Sequence, residues 1–230
     1  MMRGQQSEPV GHTQPHVIVS PRPLLMRFSV ASLIARPPFR ELALGIACAG
    51  YVVACTHQAT GRPAAVFVVR HAEKDTIPHV NPPLNAAGRA RAESLAVTLR
   101  DSGITVIVTT QQFRTQQTAA PLAAALHITP VSVPIDGTKP EEHVRAVVEA
   151  VRRKAGSRDI VLVVDHQSTL PGIIAALGAS RPAIVCDVEF SNLYVLVPEA
   201  NGGMGLTRTH YGAPDPPHDS TCKITPRSPP

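Results

Sequence analysis

Tryptophan is absent, and the 230 residues include only three tyrosines and five phenylalanines. A protein that stacks successive bases on aromatic rings needs more than this, so that class is excluded as a leading reading. Charged residues are scarce at 17%. Hydrophobic residues reach 43%, which excludes a disordered chain and supplies a core. Cysteine is limited to positions 48, 55, 186 and 222. There is no C-x-x-C pair and no Cys/His cluster at metal-ligand spacing, so no metal site is expected. The uncharged run Leu42–Ala54 has thirteen residues, short of the roughly 20 that span a membrane.

What is present in excess is proline, at 23, and positive charge, at a formal +5. The charge is unevenly placed. Residues 1–55 hold five arginines against two glutamates, a balance of +3, and residues 56–230 hold 17 basic against 15 acidic residues, a balance of +2. Most of the excess therefore sits in the first quarter. The only basic run beyond it, Arg152-Arg153-Lys154, fits the last turn of a helix. A near-neutral remainder makes nucleic acid an unlikely partner.

The first quarter has its own order. Residues 1–25 are polar and proline-rich, and Met26 is a candidate true start. Arg27, Arg36 and Arg40 then precede the apolar run, which ends at Val52-Val53-Ala54-Cys55. Basic flank, short apolar run and small residues form the layout of an export signal. The last four residues resemble the lipobox of bacterial lipoproteins, which implies lipidation at Cys55 and anchoring to the cell envelope. Ordinary cleavage near Ala47-Cys48-Ala49, an uncleaved anchor and a buried helix are the alternatives. The expected organisation is a leader over 1–55, a domain over 56–215 and a Pro-rich tail over 216–230. The expected location is the cell envelope or beyond, or the cytoplasm if the leader is not functional. Export permits a disulfide between Cys186 and Cys222; two unpaired thiols are equally compatible with the sequence.

Within the domain, β-branched runs alternate with helical patterns. Strands are expected at 65–69, 105–109, 131–133, 160–164, 193–197 and 205–210. Helices are expected at 86–102, 115–126, 141–155 and 171–177. Asn85 is the expected N-cap of the first helix. Val144, Val147, Val148 and Val151 form the inner face of the third. The alternation predicts an α/β fold: a three-layer α/β/α sandwich around a mostly parallel sheet.

In such sheets ligands bind beyond the carboxyl ends of the strands. Arg70-His71-Ala72-Glu73-Lys74 follows the first strand, Thr110 and Arg114 follow the second, and Asp165-His166-Gln167-Ser168-Thr169 follows the fourth. Two arginines and two histidines suit a phosphoryl group. Guanidinium forks hold its oxygens bidentately. One imidazole can attack phosphorus, and a second can stabilise the oxygens in flight.

Arg70-His71-Ala72-Glu73 resembles the R-H-G/A-E signature of the histidine phosphatase superfamily, which includes phosphoglycerate mutases. Leu84-Asn85-x-x-Gly88-x-x-Arg91-Ala92, Thr110-x-x-x-Arg114-Thr115-x-x-Thr118-Ala119 and Val163-Val164-Asp165-His166 resemble three further segments of that family, in order. The resemblance spans about residues 64–212 and implies a phosphoglycerate mutase-like fold. It implies a phosphohistidine on His71, with Arg70 and Arg114 holding phosphate and His166 as the second pocket histidine. Because the two arginines supply positive charge, no metal or other cofactor is expected; the expected partner is a small phosphorylated substrate, with membrane contact only through the leader. A phosphomonoester hydrolase is the leading reading. A non-catalytic phosphate binder and a phosphomutase are the alternatives.

The general acid is not evident. Asp136 in a Pro/Gly-rich loop, Glu73 and Asp165 are the candidates, and Glu73 could instead pair with Lys74 or orient a pocket group. Asp165 stands where the family usually has glycine. A carboxylate there is expected to repel phosphate or raise a neighbouring histidine, so Asp165→Gly is expected to keep or increase activity. Ser168 and Thr169 are expected to cap the following helix.

Overall fold

Successive β-branched residues that alternate between two buried faces build the centre of the molecule. In the strand Ile160–Asp165, Val161 and Val163 enter one apolar cluster while Leu162 and Val164 enter another. A strand buried on both faces needs no polar alternation, and each such side chain contributes about 1.5–3 kcal/mol by burial. The structure is a computed structural model and describes residues 61–217. The leader expected over 1–55, with Cys55, and most of the tail expected over 216–230 lie outside the described residues.

The elements in chain order are β1 (Ala65–Arg70), α1 (Ala86–Leu99), β2 (Val106–Thr109), α2 (Phe113–Ala125), β3 (Val131–Ser132) and α3 (Pro140–Lys154). There follow β4 (Ile160–Asp165), α4 (Leu170–Ala176), β5 (Asn192–Pro198) and β6 (Met204–His210). All ten expected elements are present. The sheet order is β3-β2-β4-β1-β5-β6. The first four strands run parallel, while β5 is antiparallel to β1 and β6 to β5, so the sheet is mixed. Helices α1 and α2 cover the face carrying Val69, Ile107, Leu162 and Val164, and α3 and α4 cover the face carrying Val66, Val68, Val161 and Val163.

Local chemistry sets the helix ends. The Asn85 side chain accepts from the Gly88 amide at 2.9 Å and caps α1. Helix α3 opens on Pro140 with Glu141 and Glu142 in its first turn and closes on Arg152, Arg153 and Lys154, matching the helix dipole at both ends. Gly178, with φ +102°, turns the chain out of α4. Helix α1 ends at Leu99, earlier than expected, because the Ser102 hydroxyl takes the Leu99 carbonyl at 2.6 Å and closes a turn there. Thr169 precedes α4 but makes no side-chain cap bond; its hydroxyl turns back to Asp165 at 2.6 Å instead.

Candidate active site

The site follows from the pairing of β1 with β4. The two strands are parallel neighbours, with Arg70 opposite Asp165. The next residue on each is a histidine, so His71 and His166 leave the carboxyl edge side by side. Their ring centroids are 5.3 Å apart at 65°. The His71 amide donates to the Asp165 carbonyl at 2.9 Å and extends the ladder by one bond. Arg114, at the start of α2, closes the third side. All four expected residues line one cleft of about 820 Å³.

His71 is buried, and its Nδ1 lies 2.8 Å from the Ala72 carbonyl. A carbonyl only accepts, so Nδ1 carries the proton and Nε2 keeps its lone pair. Burial, then the charge of Arg70, holds His71 well below the ordinary histidine range; the bond to Ala72 opposes them, and Arg114 and Lys74 add smaller lowering effects. The imidazole is therefore neutral at pH 7. His166 is likewise depressed, chiefly by burial and against the opposing charge of Asp165. Its Nε2 lies 3.2 Å from the Thr110 hydroxyl, which is itself 2.8 Å from the Thr115 hydroxyl.

Arg70 is held from behind. Its Nη1 donates to the carbonyls of Cys186, Asp187 and Glu189 at 2.9, 2.8 and 3.0 Å. Its guanidinium carbon sits 3.9 Å above the Phe190 ring. Burial lowers its pKa to about 10, so it stays charged at neutral pH. Its Nε is buried with no partner among the described residues, a donor suited to an anion. Cys186 is disulfide-bonded, and the other three cysteines lie outside the described residues.

The second sequence segment supports the first. The Asn85 amide donates to the Glu73 carbonyl at 3.0 Å. A Cβ on Gly88 would lie 2.0 Å from that carbonyl oxygen, so only glycine fits. Arg91 grips both Glu73 carboxylate oxygens at 2.7–3.0 Å, and donates to the Tyr211 and Ala213 carbonyls. Glu73 thus pairs with Arg91 and not with Lys74.

Asp165 departs from expectation. Its carboxylate does not line the cleft. It turns inward, where Oδ1 accepts from the His166 amide at 2.8 Å and the Thr169 hydroxyl at 2.6 Å, and Oδ2 meets His143 Nε2 at 2.9 Å. Burial alone would raise its pKa, but the His143 bond, the charges of His166 and His143 and the Thr169 bond outweigh it and hold the carboxyl below the usual range. It neither faces a phosphate nor lifts His166 above the ordinary value. Asp165→Gly would therefore remove no charge from the cleft and would strip His143 of its partner.

The three carboxylates that do line the cleft are each engaged. Glu73 is held by Arg91. Asp136 accepts from the Thr138 amide and hydroxyl at 2.9 and 2.8 Å, and those bonds keep it below the usual carboxylate range. Asp187 accepts from Gln167. Sequence reasoning did not find Phe190, Gln167 with Asp187, or His143 as parts of this region. His143 had a signal: it lies four residues before Val147, on the buried side of α3.

The histidine phosphatase superfamily (branch 1) family model matches residues 66–135. The matched stretch is under a third of the chain; it contains Arg70, His71, Glu73 and Arg114 and stops before Asp136 and His166. Similar solved structures include a putative phosphohistidine phosphatase SixA from Nakamurella multipartitia, at 20% identity and TM-score 0.46 over 65% of this chain and 96% of that one. The putative SixA of Agrobacterium tumefaciens is 24% identical with TM-score 0.45, over 66% and 99%. A mycobacterial glucosyl-3-phosphoglycerate phosphatase is 14% identical with TM-score 0.47, over 65% and 99%. No curated protein matches the chain.

Proposed function

We infer that this chain, placed with the histidine phosphatase superfamily, is a phosphomonoester hydrolase working through a phosphohistidine on His71. The observation that carries the reading is the neutral His71, with Nδ1 committed to Ala72 and Nε2 available, between two arginines. In the first step Nε2 attacks phosphorus, the P–O bond to the leaving group breaks, and the leaving oxygen takes the electron pair. Arg70 and Arg114 hold the non-bridging oxygens, and His166 adds a donor as charge builds. In the second step water attacks phosphorus and the P–N bond breaks, returning its electron pair to His71; one water proton stays with the released phosphate and the other passes to solvent, which reprotonates the leaving oxygen. The arginines supply the positive charge, so no metal is required by this scheme.

The state of the lining carboxylates favours some substrates over others. Glu73, Asp136 and Asp187 are all engaged, and an engaged, ionised carboxylate is a poor proton donor. Leaving groups that depart as stable anions are expected to react faster. The full chain should hydrolyse an aryl phosphate at least about tenfold faster than an alkyl phosphate. Turnover should persist with chelator and vanish in His71→Ala. Binding of vanadate without any turnover would instead favour the non-catalytic binder, and transfer of phosphate to a second hydroxyl would favour the mutase.

The leader belongs to the same proposal. We propose that it exports the protein and that Cys55 receives a lipid. Labelling of the protein by a lipid precursor, lost in Cys55→Ser, is the expected result; unlabelled protein in the soluble fraction would refute it.

A further inference from the structure

We propose that His143 is a positioning residue of this site, an imidazolium that ties together two walls of the cleft without touching the substrate. The inference rests on the hydrolase reading for its kinetic consequences and on geometry for its basis. His143 projects from the first turn of α3 and is not part of the cleft lining. Its Nδ1 lies 3.0 Å from the Pro134 carbonyl and its Nε2 lies 2.9 Å from Asp165 Oδ2. The His143 and Asp165 side chains are each 1% exposed. A neutral imidazole has one N–H and one lone pair, so facing two acceptors it would set that lone pair against an oxygen. Protonation at both nitrogens satisfies both contacts. The alternative, a proton moved to Asp165 Oδ2, is disfavoured because Oδ1 already accepts two donors, which stabilise the ionised carboxylate.

Each contact leads to a part of the site. On one side, Asp165 receives the His166 amide and the Thr169 hydroxyl, so the carboxylate that His143 neutralises also sets the turn presenting His166. On the other, Pro134 directly precedes Ile135 and Asp136 of the cleft wall. Gln111 grips Ile135 independently, through its backbone amide at 2.8 Å and its carbonyl at 3.0 Å. Loss of His143 therefore falls mainly on His166. Among the other charged groups of the surrounding elements, His166 follows β4 and Asp136 is engaged by Thr138. Lys139 and Glu142 pair with each other at 3.5 Å, and Arg181 reaches across α4 beside Gly172. Strand β2 and helix α4 carry no titratable side chain. Asp165 is thus the counter-charge in direct contact with His143.

The test joins ring-nitrogen NMR of the full chain with kinetics of His143→Leu, Asp165→Ala and Asp165→Asn. In the unaltered protein His143 should carry protons on both ring nitrogens at neutral pH, a signal identified by its loss in His143→Leu. That variant should lose about 10–100-fold in kcat with KM changed less than about threefold, because Arg70 and Arg114 hold the phosphoryl group from other elements. Asp165→Asn keeps an acceptor for the His166 amide and Thr169, and its amide can donate to His143 Nε2. It should recover much of the kcat that Asp165→Ala loses while leaving His143 with one ring proton. A singly protonated His143 in the unaltered protein would overturn the proposal, as would full kcat in a folded His143→Leu. If His143→Leu does not fold, the NMR signature and the Asp165→Asn against Asp165→Ala comparison still decide. If no form hydrolyses phosphate, the hydrolase reading fails separately, and the ring signature together with vanadate affinity still tests the clamp.

Discussion

His71 is neutral because the protein keeps it dry and surrounds it with positive charge. That state has a kinetic consequence. The pH dependence of kcat/KM reports groups of the free enzyme, and on the proposed mechanism protonation of His71 removes the attacking lone pair. The acid limb assigned to His71 should therefore lie well below 6.5, the ordinary histidine value. Rates measured with a substrate whose own ionisation is corrected for would show it; a limb at or above 6.5 would contradict the burial argument. Arg70 adds a second prediction. Lysine can replace neither the three-carbonyl anchor on Nη1 nor the buried Nε donor. Arg70→Lys should lower kcat/KM by about 100-fold or more, although charge is conserved. These two residues were legible because the strand ends announce themselves in the sequence. Phe190 and the carbonyls beneath Arg70 were not, since a ring more than a hundred positions away has no local pattern to mark it.

At the level of elements, α1 owes its seat to one small residue. Gly88 packs so closely on the Glu73 carbonyl that a methyl group would intrude at 2.0 Å, and Arg91, one helical turn on, grips the Glu73 side chain. Gly88→Ala should destabilise the protein by about 1–3 kcal/mol and lower activity by moving the His71 loop, checked by urea unfolding beside turnover. The α1 cap and the inner face of α3 were readable from Asn85 and the valine spacing. The direction of the Asp165 carboxylate was not, because it depends on α3 packing against β2 and α4 and bringing His143 within 2.9 Å of it. That pair also gives α3 a pH signature. His143 is raised: burial lowers it, but the Asp165 bond and charge and the Pro134 bond outweigh that. Its contribution to stability is complete below the unfolded value of 6.5 and is lost as pH rises through the higher folded value. The contribution of Asp165, held low in the fold, is complete above its unfolded value of 3.8 and is lost as pH falls through the lower folded one. The stability gap between the unaltered protein and His143→Leu should thus be widest between those two unfolded values and shrink in alkali.

Across the whole molecule, charge and cysteine lead to the same place. The +5 excess first invites an anionic polymer, yet five arginines against two glutamates in residues 1–55 account for most of it. On the proposed mechanism the positive charge that matters to the chemistry is local, on Arg70 and Arg114, which line one cleft. The loop that steadies Arg70 is itself fastened: Cys186 is disulfide-bonded, and its carbonyl is one of the three that Arg70 holds. Such bonds persist where the surroundings are oxidising, a condition compatible with the proposed export. Reduction should then act on the site as well as on the fold. With the disulfide reduced, the melting temperature should fall by several degrees, as loss of about 2–4 kcal/mol implies. KM should rise as the Arg70 anchor loosens, while a neutral His71 leaves the acid limb of kcat/KM in place. Cys186→Ser should reproduce both changes without reductant and be insensitive to it. Equal KM in the oxidised and reduced protein would show that the three carbonyls hold Arg70 without help from the bond.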